Sequence, residues 1–397
     1  MDITVHPGKL SGTLQVIPSK SQAHRLLICA AFSDGPVTLI CPSTNQDIEA
    51  TAGCLNALGA NIRRTDEGYE IIPVTKVPSC AVLDCKESGS TLRFMLPVAA
   101  ALGVDTTFLM EGRLPYRPLS PLWEELERMG CKLVRPTENT IQLSGKLISG
   151  NYTINGSVSS QFITGLLFAL VLLPGNNRLT VTGKIESVPY IRMTEKALQL
   201  FGVNCENYDF HNSTLHSPGT VTVEGDWSNG AFFLGANALG SAISVCGLSD
   251  DSPQGDRAAK EIMENLNTHQ TVSGEDIPDL IPILSVVAGA KAGAVFQNIG
   301  RLRLKESDRI ASVAEMLSAL GTKVHTTETS LSVSPTVYHG GTVDAKNDHR
   351  IAMAAAIAAT IAESPVTIIG AECVRKSYPD FWSEFQKLGG KYEQYIR

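Results

Sequence analysis

CLNALGANI (residues 54–62) reads as the end of a helix running into a strand. Apolar residues three or four apart lead up to Leu58, Gly59 follows, and a short β-prone stretch comes next. Glycine adopts the left-handed conformation that closes a helix without a steric penalty. The arrangement returns as ELERMGCKL at Gly130, ALQLFGVNC at Gly202, MLSALGTKV at Gly321 and EFQKLGGKY at Gly389. A weaker copy, IMENLNTHQTV, puts Asn267 at the glycine position, and Asn also tolerates that conformation.

A second series marks helix starts, where short polar groups precede an apolar helical pattern. These are SKS (19–21), SGS (88–90), SSQ (159–161), DWS (226–228), Asp279 before LIPILSVVAGA, and DHR (348–350). Ser and Asp are preferred at such positions because they accept bonds from free backbone N–H groups. From residue 20, 89, 160, 227, 279 or 349 to the next end-mark is 39, 41, 42, 40, 42 or 40 residues. Six units in 397 residues take about 66 each. Between the marks lie β-rich stretches such as VTLIC (37–41), RLTVTG (178–183) and AVFQNIG (294–300). Each unit therefore reads as helix–strand–helix–strand with further strands, a mixed α/β unit.

Three units fit in 17–225 and three in 226–397, with the break near TVEGDWS (222–228). The first residues, ITVHPGKLSGTLQV (3–16), are expected to form a strand pair joining the second half. The domains are then 1–16 with 226–397, and 17–225. The chain would cross between them near Val16–Pro18 and near Gly225, which makes a hinge.

Composition narrows the function. Hydrophobic residues make up 43%, enough for two cores, and the net charge of −7 argues against a general nucleic-acid binder. The nine cysteines include no CxxC, so they read as reduced, mostly buried thiols. The eight histidines show no metal-ligand spacing, so no metal is expected. The opening MDITVHPGKL lacks the pattern of a signal peptide, and FITGLLFALVLL (162–173) is too short to span a bilayer. A cytoplasmic protein is expected.

An acidic protein can still hold a locally positive site. Helix N-termini carry partial positive charge and unpaired N–H donors, so several converging starts would bind anions. Cations gather at these starts: Lys20 and Arg25 around SKSQAHR, Lys305 and Arg309 in KESDR, and Arg350 in DHR. Arg117 lies in the Gly/Pro-rich loop EGRLPYRPLSP (111–121), and Lys376 precedes YPDFW. A cation at a helix start opposes the dipole, so an anion should compensate it. For any one of these residues an ordinary surface salt bridge explains as much; their recurrence at equivalent positions does not fit that reading.

SKSQAHR (19–25), ESGSTLR (87–93), YRPLSPL (116–122), SSQ (159–161), SVPYI (187–191), GDWS (225–228), IPD (277–279), RLKESDR (303–309), NDHR (347–350) and KSYPDF (376–381) occur in that order. Together they make the chain resemble the 5-enolpyruvylshikimate-3-phosphate synthase family of enolpyruvyl transferases along its whole length. The resemblance implies an α/β (α+β) fold of two domains, each an inside-out α/β barrel of three βαβαββ repeat units, closing on substrates in the cleft between them. It implies transfer of the enolpyruvyl group of phosphoenolpyruvate to the 5-hydroxyl of shikimate 3-phosphate, with no metal or organic cofactor, by a monomer.

The resemblance also implies the contacts. Shikimate 3-phosphate is expected against Lys20, Ser21, Arg25, Ser159, Ser160, Gln161, Ser187, Asp279 and Lys305. Phosphoenolpyruvate is expected against Lys20, Gly89, Arg117, Gln161, Arg309, Arg350 and Lys376. Cations with hydroxyls suit a phosphate dianion. Asp279 is expected to accept the hydroxyl proton, Glu306 to donate to carbon, and Lys20 to assist either step. Glu87 and Arg301 stand where many members have Asn; a carboxylate beside an anion site is costly unless paired, and Arg301 or Arg93 could pair with it. The related UDP-N-acetylglucosamine enolpyruvyl transferases typically carry a Cys in the loop before the Arg-Pro pair and an Asn after the first Lys. Here GRLPYRP has no Cys, and Ser21 follows Lys20. A non-catalytic anion binder of the same fold would be expected to lose reacting groups, yet Lys20, Asp279 and Glu306 are all present. An RNA-end-processing enzyme of related architecture fits poorly with the acidic balance.

Overall fold

A computed structural model describes residues 1–395. The chain forms two compact units: Pro18–Glu224, and Met1–Ile17 together with the chain from Gly225 on. Both are mixed α/β with small mixed sheets. Four of the sheets share one pairing pattern, a parallel pair followed by two antiparallel ones. In Pro18–Glu224, for example, Cys80–Asp84 pairs parallel with Asp105–Leu109, which pairs antiparallel with Thr140–Gly145, which pairs antiparallel with Cys131–Thr137. In the other unit Gln270–Ser273, Ala294–Gln297, Leu331–Val333 and Val324–Thr326 follow the same sequence of pairings.

The glycine marks behave as their positions require. Gly59, Gly130, Gly202, Gly321 and Gly389 have φ of +105°, +107°, +83°, +93° and +93°, each just past a helix. Asn267 departs from this: it does not adopt a positive φ, and its side-chain amide donates to the Glu264 carbonyl instead. Its side chain can satisfy a helix-end carbonyl that a glycine cannot, so the left-handed turn is not needed. Five of the six helix starts are capped by the expected side chain: Ser19, Ser88, Ser159, Asp226 and Asp348 accept from the N–H of Gln22, Thr91, Gln161, Asn229 and Arg350. The sixth is a correction. The helix Ile281–Ala290 starts after Leu280 with no side-chain cap, because Asp279 turns to arginines instead.

The two N-terminal strands also differ from expectation. They do not pair with each other. Asp2–His6 lies antiparallel between Val366–Ile369 and Lys391–Tyr395, whereas Ser11–Gln15 runs parallel to Ala242–Cys246. The first strand is thus paired on both sides and the second on one, which leaves fewer unpaired backbone groups than a lone hairpin would.

The central helices are apolar around nearly their whole circumference. Every residue of His349–Ala359 is buried, as is Gly89–Leu102 apart from Ser90 and Leu102. Such helices belong in a core and not on its surface. The nine cysteines are free thiols, six of them buried. Among the described residues no helix is long and apolar enough to cross a membrane. In Pro18–Glu224 the helices Gly89–Leu102 and Ser160–Leu172 touch backbone to backbone at Gly165. A Cβ there would stand 2.3 Å from the Arg93 carbonyl oxygen and 2.8 Å from Pro97 Cγ. Gly165→Ala would gain roughly 0.5–1 kcal/mol of helix preference but must push two main chains apart. The overpacking is expected to win by about 1–2 kcal/mol, read as a lower urea midpoint at constant m-value. An unchanged midpoint would mean the helices are not locked at this point.

Candidate active site

The contact at Gly165 sets two helix starts side by side. Gln161, in the first turn of Ser160–Leu172, donates through Nε2 to Ser90 Oγ at 2.9 Å. Its Oε1 accepts from Arg93 Nη1 at 3.0 Å, and Arg93 also donates to the Pro118 carbonyl at 3.0 Å. That last bond holds the loop carrying Arg117. A Cβ on Gly89 would lie 2.4 Å from Arg117 Nη1 and 2.7 Å from Arg93 Nη1, so only glycine admits the two guanidinium groups here. Arg117 Nε is buried with no hydrogen-bond partner. Glu87 packs over Gly112, where a Cβ would meet its carboxylate.

A third helix start belongs to the same group. Lys20 opens Lys20–Ala31, and its ammonium pairs with Asp47 at 2.9 Å. One turn on, Arg25 is fully enclosed: Nε donates to Thr194 Oγ1 at 2.9 Å, Nη1 to the Ser21 carbonyl at 2.6 Å and Nη2 to the Tyr190 carbonyl at 2.8 Å. Its guanidinium also sits 5.3 Å from the Phe94 ring centroid. Burial pulls its pKa down to about 10. Among the described residues no carboxylate pairs with Arg25 or Arg117. Ser187 precedes the helix Val188–Leu200 that supplies Tyr190 and Thr194, and is itself buried with φ +54° and ψ +48°. A non-glycine residue held in the left-handed region stores strain that surrounding structure must maintain, and such residues cluster at functional sites. Ser159 caps its helix and Ser160 is buried beside it.

The other unit gathers charge differently, with its cations already paired. Arg309 is buried and bonds three carboxylates: Nη1 to Asp279 at 2.8 Å, Nη2 to Glu306 at 2.6 Å and Nε to Asp348 at 2.9 Å. Burial works against its charge, but Asp348, Glu306 and Asp279 more than offset that and hold its pKa above the ordinary value. Arg350 donates to Asp279 Oδ2 at 3.2 Å and to the Ser228 carbonyl at 3.3 Å, while its Nε is buried without a partner. Lys305 lies 3.5 Å from Asp279, and Lys376 donates to the Asn347 carbonyl at 2.9 Å. Asp279 is thus the meeting point of three cations from two segments, 305–309 and the helix start at Arg350. Arg301 donates to the Glu275 carbonyl, and Arg303 pairs with Asp308.

Within each unit the expected residues therefore come together. Pro18–Glu224 joins Lys20, Ser21 and Arg25 on one helix, and Gly89, Arg117 and Gln161 around Arg93. The second unit joins Asp279, Lys305, Glu306, Arg309 and Arg350, with Lys376 tied to the turn before Arg350. The first set offers cationic and N–H donors, Lys20 held by Asp47 and Arg25 and Arg117 paired with no carboxylate among the described residues, which suits oxyanions. The second offers carboxylates able to move protons, each held by a cation. Sequence reading named Arg93 only as a partner for Glu87 and passed over Asp256. Arg93 sits one helical turn after Gly89, a spacing that could have pointed to it. Asp256 could not have been found this way: it lies in GDRA (255–258), outside any recurring mark.

The family model described as EPSP synthase (3-phosphoshikimate 1-carboxyvinyltransferase) matches residues 5–385. A 3-phosphoshikimate 1-carboxyvinyltransferase of Clostridium beijerinckii is 36% identical over 429 residues, covering 99% of each chain. One from Clostridium kluyveri is 37% identical over 424 residues, covering 99% of this chain and 98% of its own. Among solved structures, an EPSP synthase from Acinetobacter baumannii aligns with a TM-score of 0.81 at 22% identity, over 99% of this chain and 100% of that one. The enolpyruvyl transferase NikO from Streptomyces tendae aligns with a TM-score of 0.74 at 16% identity, over 99% and 98%. At those identities the structural likeness concerns the fold.

Asp256 offers a direct measurement on the second cluster. It is buried, accepts a hydrogen bond from Ser228 Oγ on Oδ2, and has no partner on Oδ1. Burial, and next the nearby Asp279 carboxylate, push its pKa up to about 7, against the Ser228 bond and Arg350. An unfolded aspartate ionises near pH ~4, so between about pH 4 and pH 7 the folded protein binds the extra proton and this group weakens the fold as pH rises. Asp256→Asn should remove that loss. The variant's advantage in urea midpoint is expected to grow from about pH 5 to about pH 8; a gap that ignores pH would show that Asp256 is ionised throughout.

Proposed function

The chain belongs to the EPSP synthase family and is a 3-phosphoshikimate 1-carboxyvinyltransferase of the shikimate pathway, and from this premise we propose how its residues divide the reaction. The enolpyruvyl group of phosphoenolpyruvate passes to the 5-hydroxyl of shikimate 3-phosphate, and phosphate leaves. Arg25, Ser21, Ser159, Ser160, Gln161, Ser187 and Lys305 hold shikimate 3-phosphate, with Lys20 and Asp279 at its reacting hydroxyl. Lys20, Gly89, Arg117, Gln161, Arg309, Arg350 and Lys376 hold phosphoenolpyruvate. Each set draws residues from both units, so both units take part in the reaction, each unit being built from three βαβαββ repeats. The enzyme works as a cytoplasmic monomer.

In the addition step the Asp279 carboxylate takes the hydroxyl proton as the oxygen bonds to C2 of phosphoenolpyruvate. C3 takes a proton from Glu306, giving a tetrahedral adduct. In the elimination step the Glu306 carboxylate takes a proton back from C3, the bond from C2 to the phosphate oxygen breaks, and the proton on Asp279 goes to the departing phosphate. Lys20 stabilises charge on the bridging oxygen. Glu306 can act as an acid once phosphoenolpyruvate competes for Arg309, because an anion on that guanidinium weakens its hold on the carboxylate. The observation that carries this reading is Asp279 itself: a carboxylate that forgoes its helix cap to stand among Lys305, Arg309 and Arg350.

Asp279→Asn keeps the shape and removes the base. It is expected to lower kcat by about 10²–10⁴ with both substrates still binding by calorimetry, in an assay of phosphate release from phosphoenolpyruvate and shikimate 3-phosphate. UDP-N-acetylglucosamine as acceptor should give no release. Normal turnover in the variant would remove Asp279 from the proton path.

A further inference from the structure

Behind the cations of Pro18–Glu224 lies a buried chain of side-chain hydrogen bonds. His24 Nδ1 is 2.7 Å from Thr51 Oγ1, and Thr51 Oγ1 is 2.8 Å from Thr91 Oγ1. Thr91 Oγ1 donates to Ser88 Oγ at 2.7 Å and leans toward the Asp47 carbonyl at 3.4 Å. Ser88 Oγ also accepts from the Thr91 N–H at 3.2 Å as a helix cap. All four side chains are buried, three with no exposed surface and Ser88 at 1%.

The directions follow from counting protons. A hydroxyl has one hydrogen to donate. Thr91 commits its hydrogen to Ser88, so Thr51 must donate to Thr91. Thr51 then has only lone pairs for His24, and the hydrogen between them belongs to Nδ1. His24 is therefore the Nδ1–H tautomer, and its Nε2 is a bare acceptor. That nitrogen is buried with no partner. Burial first, and the nearby Lys20 and Arg25 charges second, keep the ring far from protonation. A second hydrogen on Nε2 would have nowhere to go.

The chain has a fixed relation to the site. His24 is one turn after Lys20, Thr51 one turn after Asp47, which holds the Lys20 ammonium, and Thr91 two residues after Gly89. Three helices, Lys20–Ala31, Gln46–Ala57 and Gly89–Leu102, are thus bonded to one another one layer beneath their functional ends. We propose that His24 is a positioning residue whose Nδ1–H heads this one-way chain and holds the Lys20 and Gly89 helix starts at the spacing phosphoenolpyruvate requires. This rests on the assignment of Lys20, Gly89 and Arg117 to phosphoenolpyruvate made above. Gly89 leaves no slack, since Arg117 already stands where a Cβ would be. Shikimate 3-phosphate is less exposed to a shift between these helices, because Ser21, Arg25, Tyr190 and Thr194 are bonded among themselves.

The test compares His24→Leu, which cannot donate, with His24→Asn, whose amide can replace the Nδ1–H. His24→Leu is expected to raise KM for phosphoenolpyruvate about tenfold and to leave KM for shikimate 3-phosphate within about twofold. His24→Asn should restore both. Thr51→Val breaks the chain at its centre, should reproduce the split, and carries the test if His24→Leu does not fold. Nitrogen-15 NMR of the His24 ring in the unaltered enzyme should show protonated Nδ1 and bare Nε2. The opposite tautomer, an equal rise in both KM values, no rise at all, or failure of His24→Asn to rescue would each overturn the proposal. Arg117→Ala is the companion measurement. If it leaves KM for phosphoenolpyruvate unchanged, the phosphoenolpyruvate assignment has failed; if it raises KM while the His24 and Thr51 variants do not, only the hydrogen-bond chain has.

Discussion

A helix buried on every side can meet polar chemistry only at its ends. His349–Ala359 has no solvent face, and Gly89–Leu102 and Ser160–Leu172 nearly none. Their polar residues gather at their N-terminal turns, where free N–H groups and the helix dipole favour negative charge. The charged residues of both clusters lie at or near such turns, or on the short segments that precede them. The distribution of function follows from the way the cores are filled.

The two units solve the problem of buried cations in opposite ways. Among the described residues no carboxylate pairs with Arg25 or Arg117, and Arg25 relies on two backbone carbonyls, a hydroxyl and an aromatic face. A phosphate or carboxylate arriving there meets donors whose electrostatic demand is unmet. Arg309 and Arg350 instead share Asp279, with Glu306 and Asp348 completing the set. Removing one partner from such a buried pair is expensive, so the network keeps its carboxylates at fixed positions. In the proposed mechanism a substrate anion competing for the arginines would change what the carboxylates experience and so link binding to proton transfer. Asp256, which stays protonated to about pH 7, spares the cluster a further negative charge.

Much of this was legible in the residues. Gly59, Gly130, Gly202, Gly321 and Gly389 announced helix ends because a positive φ there is a local, steric requirement. Ser19, Ser88, Ser159, Asp226 and Asp348 announced helix starts because a cap bonds to an N–H two or three residues away. The exceptions fall where a distant or alternative partner won. Asp279 left its helix for arginines 30 and 71 residues away. Asn267 used its own side chain in place of a left-handed turn, and the N-terminal strands took partners more than 200 residues distant instead of each other.

By itself the sequence determined where helices begin and end and which cations stand at their starts, because capping, turn sterics and apolar periodicity act over a few residues. Only the tertiary structure decided which of those starts are neighbours, which carboxylate each arginine holds, and which way the hydrogens run from His24 to Ser88. Those depend on how buried helices pack, and on the rule that a buried polar atom must find its partner wherever the fold has placed one.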